Sequence, residues 1–211
     1  MPRSSKLPMK HADVKLEHRK IAGLVRPGSS VLDLGCGDGT LLSLLVLEKG
    51  VRAQGLEQDE QAIYQCVAKG LSVFHGDIDT GLSEYDVGSF DYVIFDQSLQ
   101  EVRQPDRALG QALRVGREVI VAFPNFAFWT SRLQICLRGR TPVTPSLPYS
   151  WYDSPNLHFL SIADFRAFCR ENSLTVTRQV FLSGNRTVHW LPNVFAETGI
   201  FVLTSRVYSK T

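Results

Sequence analysis

The run SSVLDLGCGDGTLL, Ser29 to Leu42, constrains the fold more than any other part of the chain. Val31 to Leu34 read as a short buried strand, which meets glycines at positions 35, 37 and 39 and then apolar residues at helical spacing. A strand that turns on glycine into a helix lets a ligand approach the main chain closely and offers it the unpaired N–H groups of the helix start. The turn therefore predicts a nucleotide-type site at the carboxyl end of a central strand.

Helix and strand signals alternate around it. An amphipathic helix is expected from His11 to Val25, stopped by Pro27-Gly28. After the Val31–Leu34 strand come a helix over Gly39–Lys49, a strand over Val51–Leu56, a helix over Asp59–Lys69 and a strand over Leu71–His75. A Gly/Ser/Asp-rich connection leads to a strand over Phe90–Phe95, a helix over Pro105–Val115 and a strand over Glu118–Phe123. Ser161 and Asp164 form a capping-box pattern opening a helix that runs to about Asn172. Strands over Leu174–Leu182 and Gly199–Val207 close the chain. The alternation predicts a doubly wound, Rossmann-like α/β fold: a mostly parallel sheet of about seven strands, helices on both faces and an antiparallel last strand. One domain is expected over residues 11–211, preceded by a loose tail (residues 1–10) and carrying an aromatic and proline-rich insertion at about 125–158.

The ligand follows from spacing and charge. Dinucleotide sites use GxGxxG or GxGxxA, whereas Gly35, Gly37 and Gly39 make GxGxG. Asp33 and Asp38 bracket the turn, and carboxylates beside a pyrophosphate would cost Coulomb energy. A ligand with positive charge and no phosphate gains instead, which points to S-adenosylmethionine or S-adenosylhomocysteine. Glu57, followed by Gln58, falls at the end of the second strand about 20 residues beyond the turn, the place of a carboxylate that accepts from ribose hydroxyls. Asp77 is placed to accept from the adenine amino group and the Ile78 N–H to donate to the ring. Gln97 and Ser98, after the fourth strand, are placed at the methionine end. The expected cofactor-binding set is Asp33, Gly35, Cys36, Gly37, Glu57, Gln58, Asp77, Ile78 and Gln97, with Cys36 contributing backbone rather than thiol.

Composition removes other classes. Twenty-three basic against 21 acidic residues give a net charge of +2, no global reason to expect a nucleic-acid or membrane partner. No apolar run approaches the roughly 20 residues that span a bilayer, and MPRSSKLPMK lacks the apolar core of a signal peptide. The four cysteines (36, 66, 136, 169) form no CxxC pair, so neither a metal site nor a disulfide framework is expected; reduced thiols in a cytoplasm fit.

The motifs VLDLGCGDGTLL, GLEQD, SFDYVIFDQSLQEVRQPDRAL and LRVGREVIVAFPNF resemble, in order, the class I S-adenosylmethionine-dependent methyltransferase fold. PNFAFWTSRLQICLRGRTPVTPSLPYSWYDSPNLHFLSIADF, with the preceding VGRE, closely resembles the bacterial MetW family of methionine biosynthesis. The chain departs from that family's pattern at Ala127-Phe128, where Gly-His is often found, and at Glu101, where a small residue stands. The resemblance implies an accessory or regulatory protein acting with homoserine O-acyltransferase (MetX), whose acylation of homoserine commits carbon to methionine. It leaves the oligomeric state open.

The alternative is methyl transfer to a small molecule, which needs an in-line acceptor and, for some acceptors, a base. Related small-molecule methyltransferases place a histidine after the fourth strand; here the triplet is Leu99-Gln100-Glu101. The catalytic candidates are Glu101, Tyr152 and His158. Tyr149, Trp151, Tyr152, Asp153, Asn156 and His158 cluster within ten residues, as core packing, a partner-docking surface or an acceptor lid would require. Arg132, Arg138 and Arg140 are available to an acidic partner patch or to solvent.

Overall fold

A computed structural model describes residues 14–204 of the 211. The expected tail, the first residues of the helix predicted from His11 and the end of the strand predicted to reach Val207 lie outside the described residues. The chain forms one eight-stranded sheet in the order β3-β2-β1-β4-β5-β8-β6-β7. The strands are β1 (Ser30–Leu34), β2 (Arg52–Glu57), β3 (Ser72–His75), β4 (Phe90–Asp96), β5 (Gly116–Pro124), β6 (Thr175–Ser183), β7 (Arg186–Thr187) and β8 (Thr198–Thr204). β3, β2, β1, β4 and β5 are mutually parallel, and β8 lies antiparallel between β5 and β6. The eighth strand is the two-residue β7, which folds back on the end of β6 and is too short to leave an alternating pattern in sequence.

The helices are α1 (Leu16–Leu24), α2 (Thr40–Lys49), α3 (Glu60–Ala68), α4 (Ile78–Gly81), α5 (Pro105–Val115), α6 (Trp129–Arg138), α7 (Ile162–Glu171) and α8 (Pro192–Phe195). Alternation along the strands sorts the core into two layers. Leu32, Leu34, Val93, Phe95, Val121 and Phe123 face α5 and α7, while Val31, Tyr92, Ile94, Ile120 and Ala122 face α1 and α2. The same parity puts Asp33 of β1 and Asp96 of β4 on the α1 side. The strand order reverses between β1 and β4, so their carboxyl ends open a crevice.

Local signals explain the helix ends. In α7 the Ser161 hydroxyl accepts from the Asp164 N–H at 3.1 Å, and the Asp164 carboxylate accepts from the Ser161 N–H at 2.9 Å, realising the expected capping box. The Gly/Ser/Asp-rich connection is more ordered than its composition implied: Asp77 caps α4 by accepting from the Asp79 N–H at 2.9 Å, and a 3₁₀ turn over Leu82–Glu84 follows.

Fully buried Asn125, just past β5, fastens α7, α8 and the turn leading into α6. Its Nδ2 donates to the carbonyls of Ala196 (2.8 Å) and Asn193 (3.2 Å), and its Oδ1 accepts from the N–H groups of Ile162 (3.2 Å) and Ala127 (3.3 Å). Asn125→Ala strands these groups away from water, and a urea titration is expected to show a loss of about 2–4 kcal/mol in unfolding free energy.

Candidate functional site

The crevice is built on backbone. Beyond β1 the Gly35 and Cys36 N–H groups both donate to the Leu56 carbonyl, at 2.8 and 3.3 Å, tying the turn to the end of β2. Gly35 and Gly37 hold φ of +72° and +53°, values at which a side chain is strained. A Cβ on Gly35 would also lie 2.8 Å from the Ser98 Cβ, whereas one on Gly37 meets nothing within 4 Å.

Glu57 closes the turn. Its Oε2 accepts from the Gly37 N–H at 2.7 Å, and its Oε1 accepts from the N–H groups of Gln58 and Asp59 at 2.8 and 3.0 Å. A carboxylate has about four acceptor positions, so Oε2 keeps room for one further donor, and a second would have to share Oε1 or displace an amide.

Two cavities meet at this turn. The larger, about 540 Å³, is lined by Gly35, Gly37, Glu57, Gln58, Asp77, Ile78, Gln97 and Ser98 among the expected residues. Leu56, Gly76, Asp79, Glu101, Val102, Arg103, Pro155 and Leu157 complete it. Asp77 uses Oδ1 to cap α4. The Ser98 hydroxyl donates to the Leu34 carbonyl at 2.5 Å, so Ser98 fixes the turn from below. The smaller cavity, about 190 Å³, lies on the α1 side and is lined by Lys15, Glu17, His18, Asp33, Cys36, Asp38, Thr40, Leu41 and Asp96, with Gly35, Gly37 and Gln97 shared between the two.

The acids beside the turn are held differently. Asp38 lines the smaller cavity, with its carboxylate engaged by Lys69 (2.9 Å) and Thr40. Against the upward push of burial, the hydrogen bonds from Lys69 and Thr40 and the Lys69 charge lower its carboxyl. Asp33 is 1% exposed beneath the turn, with Oδ1 lacking a hydrogen-bond partner. Burial, then Asp96 and Glu57, raise its carboxyl well above the ordinary range. The acids lining the crevice are Glu57, Asp77, Asp79 and Glu101 on one side and Glu17, Asp33, Asp38 and Asp96 on the other. Burial pushes the Cys36 thiol up, and the Cys36 N–H is held by the Leu56 carbonyl.

α1 supplies residues that sequence reasoning missed. Glu17 Oε1 accepts from Gln97 Nε2 at 2.6 Å, and His18 Nε2 lies 2.9 Å from Asp96 Oδ2. Gln97 itself sits at φ +60° with its N–H on the Ala122 carbonyl (3.0 Å). No spacing signal in α1 marks this role; the amphipathic pattern reports only its buried side.

The catalytic candidates separate. Glu101 sits at the mouth of the large cavity and of an adjoining one of about 360 Å³ that also holds Lys15, Glu17, Gln100, Tyr149 and Asn156. Partial burial, then Glu57, raise its carboxyl. Tyr152 is 75% exposed, packs edge-on against Trp151, and reaches none of these three cavities. His158 lines a different pocket beside Leu99 and Phe159. The insertion meets the site elsewhere, through Pro155 and Leu157; the Leu157 and His158 N–H groups both donate to the Gln100 carbonyl, at 2.9 and 3.0 Å, pinning this strap over the crevice. Among the described residues no group of three or more His, Cys, Asp or Glu side chains is arranged for a metal, and no helix is long and apolar enough to cross a membrane.

The family model for "Methionine biosynthesis protein MetW" matches residues 15–203. The chain belongs to the MetW family. A relative, the bifunctional methionine biosynthesis protein MetXA/MetW of Rhodopirellula baltica, is 32% identical over 177 residues, which are 80% of this chain and 28% of that protein. The chain spans 28% and 32% of the lengths of the curated relatives it matches. Among solved structures, a SAM-dependent methyltransferase from Archaeoglobus fulgidus superposes with a TM-score of 0.67 at 14% identity, covering 90% of this chain and 91% of its own. One from Thermotoga maritima gives 0.63 at 16% identity, covering 90% and 87%. These likenesses establish that this MetW-family chain has the methyltransferase fold.

Space and backbone angle together separate the glycines. Gly37→Ala is expected to cost about 1–2 kcal/mol from backbone strain alone, and Gly35→Ala to cost more because Ser98 must also move. Denaturant unfolding of the two variants measures the difference.

Proposed function

We propose that this MetW-family chain binds S-adenosylmethionine or S-adenosylhomocysteine across the glycine turn and acts with the homoserine O-acyltransferase MetX as an accessory or regulatory partner. The observation that carries the partnership is the Rhodopirellula relative, whose name joins MetXA to MetW in one bifunctional protein. The nucleoside reading is supported by a cavity whose polar groups match it: Glu57 for the ribose, Asp77 and the Ile78 amide for adenine, and open space over Gly37 for close approach. The smaller cavity beyond Gln97 continues that space toward charged side chains, as a nucleoside bearing an amino-acid tail requires.

The docking surface proposed for the acyltransferase is α6. Ser131 is its one buried residue, and Trp129, Leu133 and Leu137 form an exposed stripe at i, i+4, i+8, with Leu137 72% exposed. The stripe is stiffened by the chain beyond it, since the Gln134 amide both donates to the Val143 carbonyl and accepts from its N–H, each at 3.0 Å. Exposed apolar residues in such a row are what a protein partner covers.

Methyl transfer to a small acceptor is the second reading, favoured by the 360 Å³ cavity that adjoins the nucleoside cavity at Gln97 and Glu101. There the donor would supply the methyl group, and the chain would orient the acceptor, with Glu101 placed to take a proton.

Co-purification with the acyltransferase and an acyl-transfer assay with and without this chain decide the main reading; absence of association and of any rate change would remove it. A Leu133→Glu, Leu137→Glu double variant is expected to lose co-purification while keeping nucleoside affinity. Gly37→Val is expected to abolish binding with the fold retained, and Glu57→Ala to weaken it by about 1.5–3 kcal/mol, both read by calorimetry. Turnover of labelled donor with a panel of metabolites tests the second reading.

A further inference from the structure

The α1 side of the crevice gathers one buried and three half-buried titratable side chains. Asp33, Asp96, Glu17 and His18 line a cavity of about 190 Å³ together with Lys15, the residue preceding α1. Three side-chain atoms there are buried and lack a partner: Asp33 Oδ1, Asp96 Oδ1 and His18 Nδ1. Unpaired buried acceptors carry a desolvation penalty that a donor placed among them relieves. Strand parity brings Asp33 and Asp96 to this face, and α1 adds Glu17, held by Gln97 at 2.6 Å. The cavity meets the nucleoside cavity at Gly35, Gly37 and Gln97, so a tail attached to a bound nucleoside would enter it.

We propose that the start of α1 reads the amino-acid end of the ligand, with Glu17, beside Asp96 and Asp33, taking the ligand's ammonium in exchange for a proton and Lys15 facing its carboxylate. This rests on the nucleoside reading above and adds a residue and a proton to it. Burial first, then the charge of Asp96, pushes the Glu17 carboxyl up to about 7; Gln97, His18 and Lys15 act in the opposite direction. The groups facing Glu17 are Lys15 just before its helix, His18 on it, Asp96 at the end of β4, Asp33 on β1 and Asp38 in the turn beyond β1. Glu101 and Glu197 lie across the adjoining cavity. Without ligand, two carboxylates compete for one poorly hydrated space, and the raised one keeps its proton. An ammonium removes the reason to keep it. The proton leaves to solvent, and a carboxylate–ammonium pair replaces the neutral acid.

The sign follows directly. Below pH 7 Glu17 is protonated and must give up its proton before the ammonium can pair, so affinity falls with pH; above 7 that requirement vanishes. A ligand with the same nucleoside and thioether but no amino-acid tail is indifferent to the change. Glu17 is thus a specificity-determining residue for the tail.

The test is isothermal titration calorimetry with S-adenosylhomocysteine and with 5′-methylthioadenosine at pH 6, 7 and 8, in two buffers of different ionisation enthalpy. For S-adenosylhomocysteine a group at about 7 gives about a fivefold loss of affinity from pH 7 to pH 6, with net proton release at pH 7. 5′-Methylthioadenosine is expected to show neither. Glu17→Gln should abolish both signatures for S-adenosylhomocysteine while leaving 5′-methylthioadenosine bound as in the wild type, which also reports that the variant is folded. His18→Asn, which removes the neighbouring imidazole, is the control and is expected to keep the dependence. Parallel pH profiles for the two ligands, no proton release in the wild type, or a dependence that survives Glu17→Gln would overturn the inference. If neither nucleoside binds, the underlying reading falls as well; if 5′-methylthioadenosine binds and the proton signature is missing, only this inference does.

Discussion

The glycine turn stands because the last peptide of β2 and the side chain after it hold it. The Leu56 carbonyl accepts from two consecutive amides, and the Glu57 carboxylate accepts from a third, so the turn is fastened by three hydrogen bonds to the neighbouring strand. The bond to Glu57 is charge-assisted and correspondingly strong. Ser98 supports the same turn from the β4 side through the Leu34 carbonyl. The tips of three strands are thereby locked together, and the crevice between them has a fixed floor. The side chains that line it project from that floor.

Much of this was legible in the residues. The alternation of apolar strands with amphipathic helices gave the parallel sheet because both faces of the central strands are covered, as the near-continuous burial of Val31–Leu34 and Tyr92–Phe95 requires. Glu57 was legible because a strand of known length after a helix of known length puts its end a fixed distance from the turn. The residues reached by tertiary packing were not. Glu17 and Gln97 are 80 positions apart and meet only because α1 folds over the β1–β4 crevice. Asp38 was legible as an acid beside the turn, but its pairing with Lys69, 31 residues on, was not. Short elements escaped for a different reason: α4 and β7 are set by capping and by a neighbouring strand, not by periodicity.

The insertion divides between two roles that its composition could not separate. Pro155 and Leu157 turn inward to the crevice, while Trp151, Tyr152 and the α6 stripe face outward. The Gln100 carbonyl sits between these halves, accepting from the strap while the Gln100 side chain donates to the Gln97 carbonyl at 2.6 Å. A single buried glutamine therefore joins the outward-facing aromatic segment to the end of β4.

Gln97 is a non-glycine residue held in a left-handed backbone conformation, an arrangement that costs about 1–2 kcal/mol relative to relaxed chain. The main chain is retained there by Ala122 and the side chain by α1. Two separate elements, the neighbouring strand and the first helix, therefore share the work of keeping the tip of β4 in a conformation it would not adopt unaided.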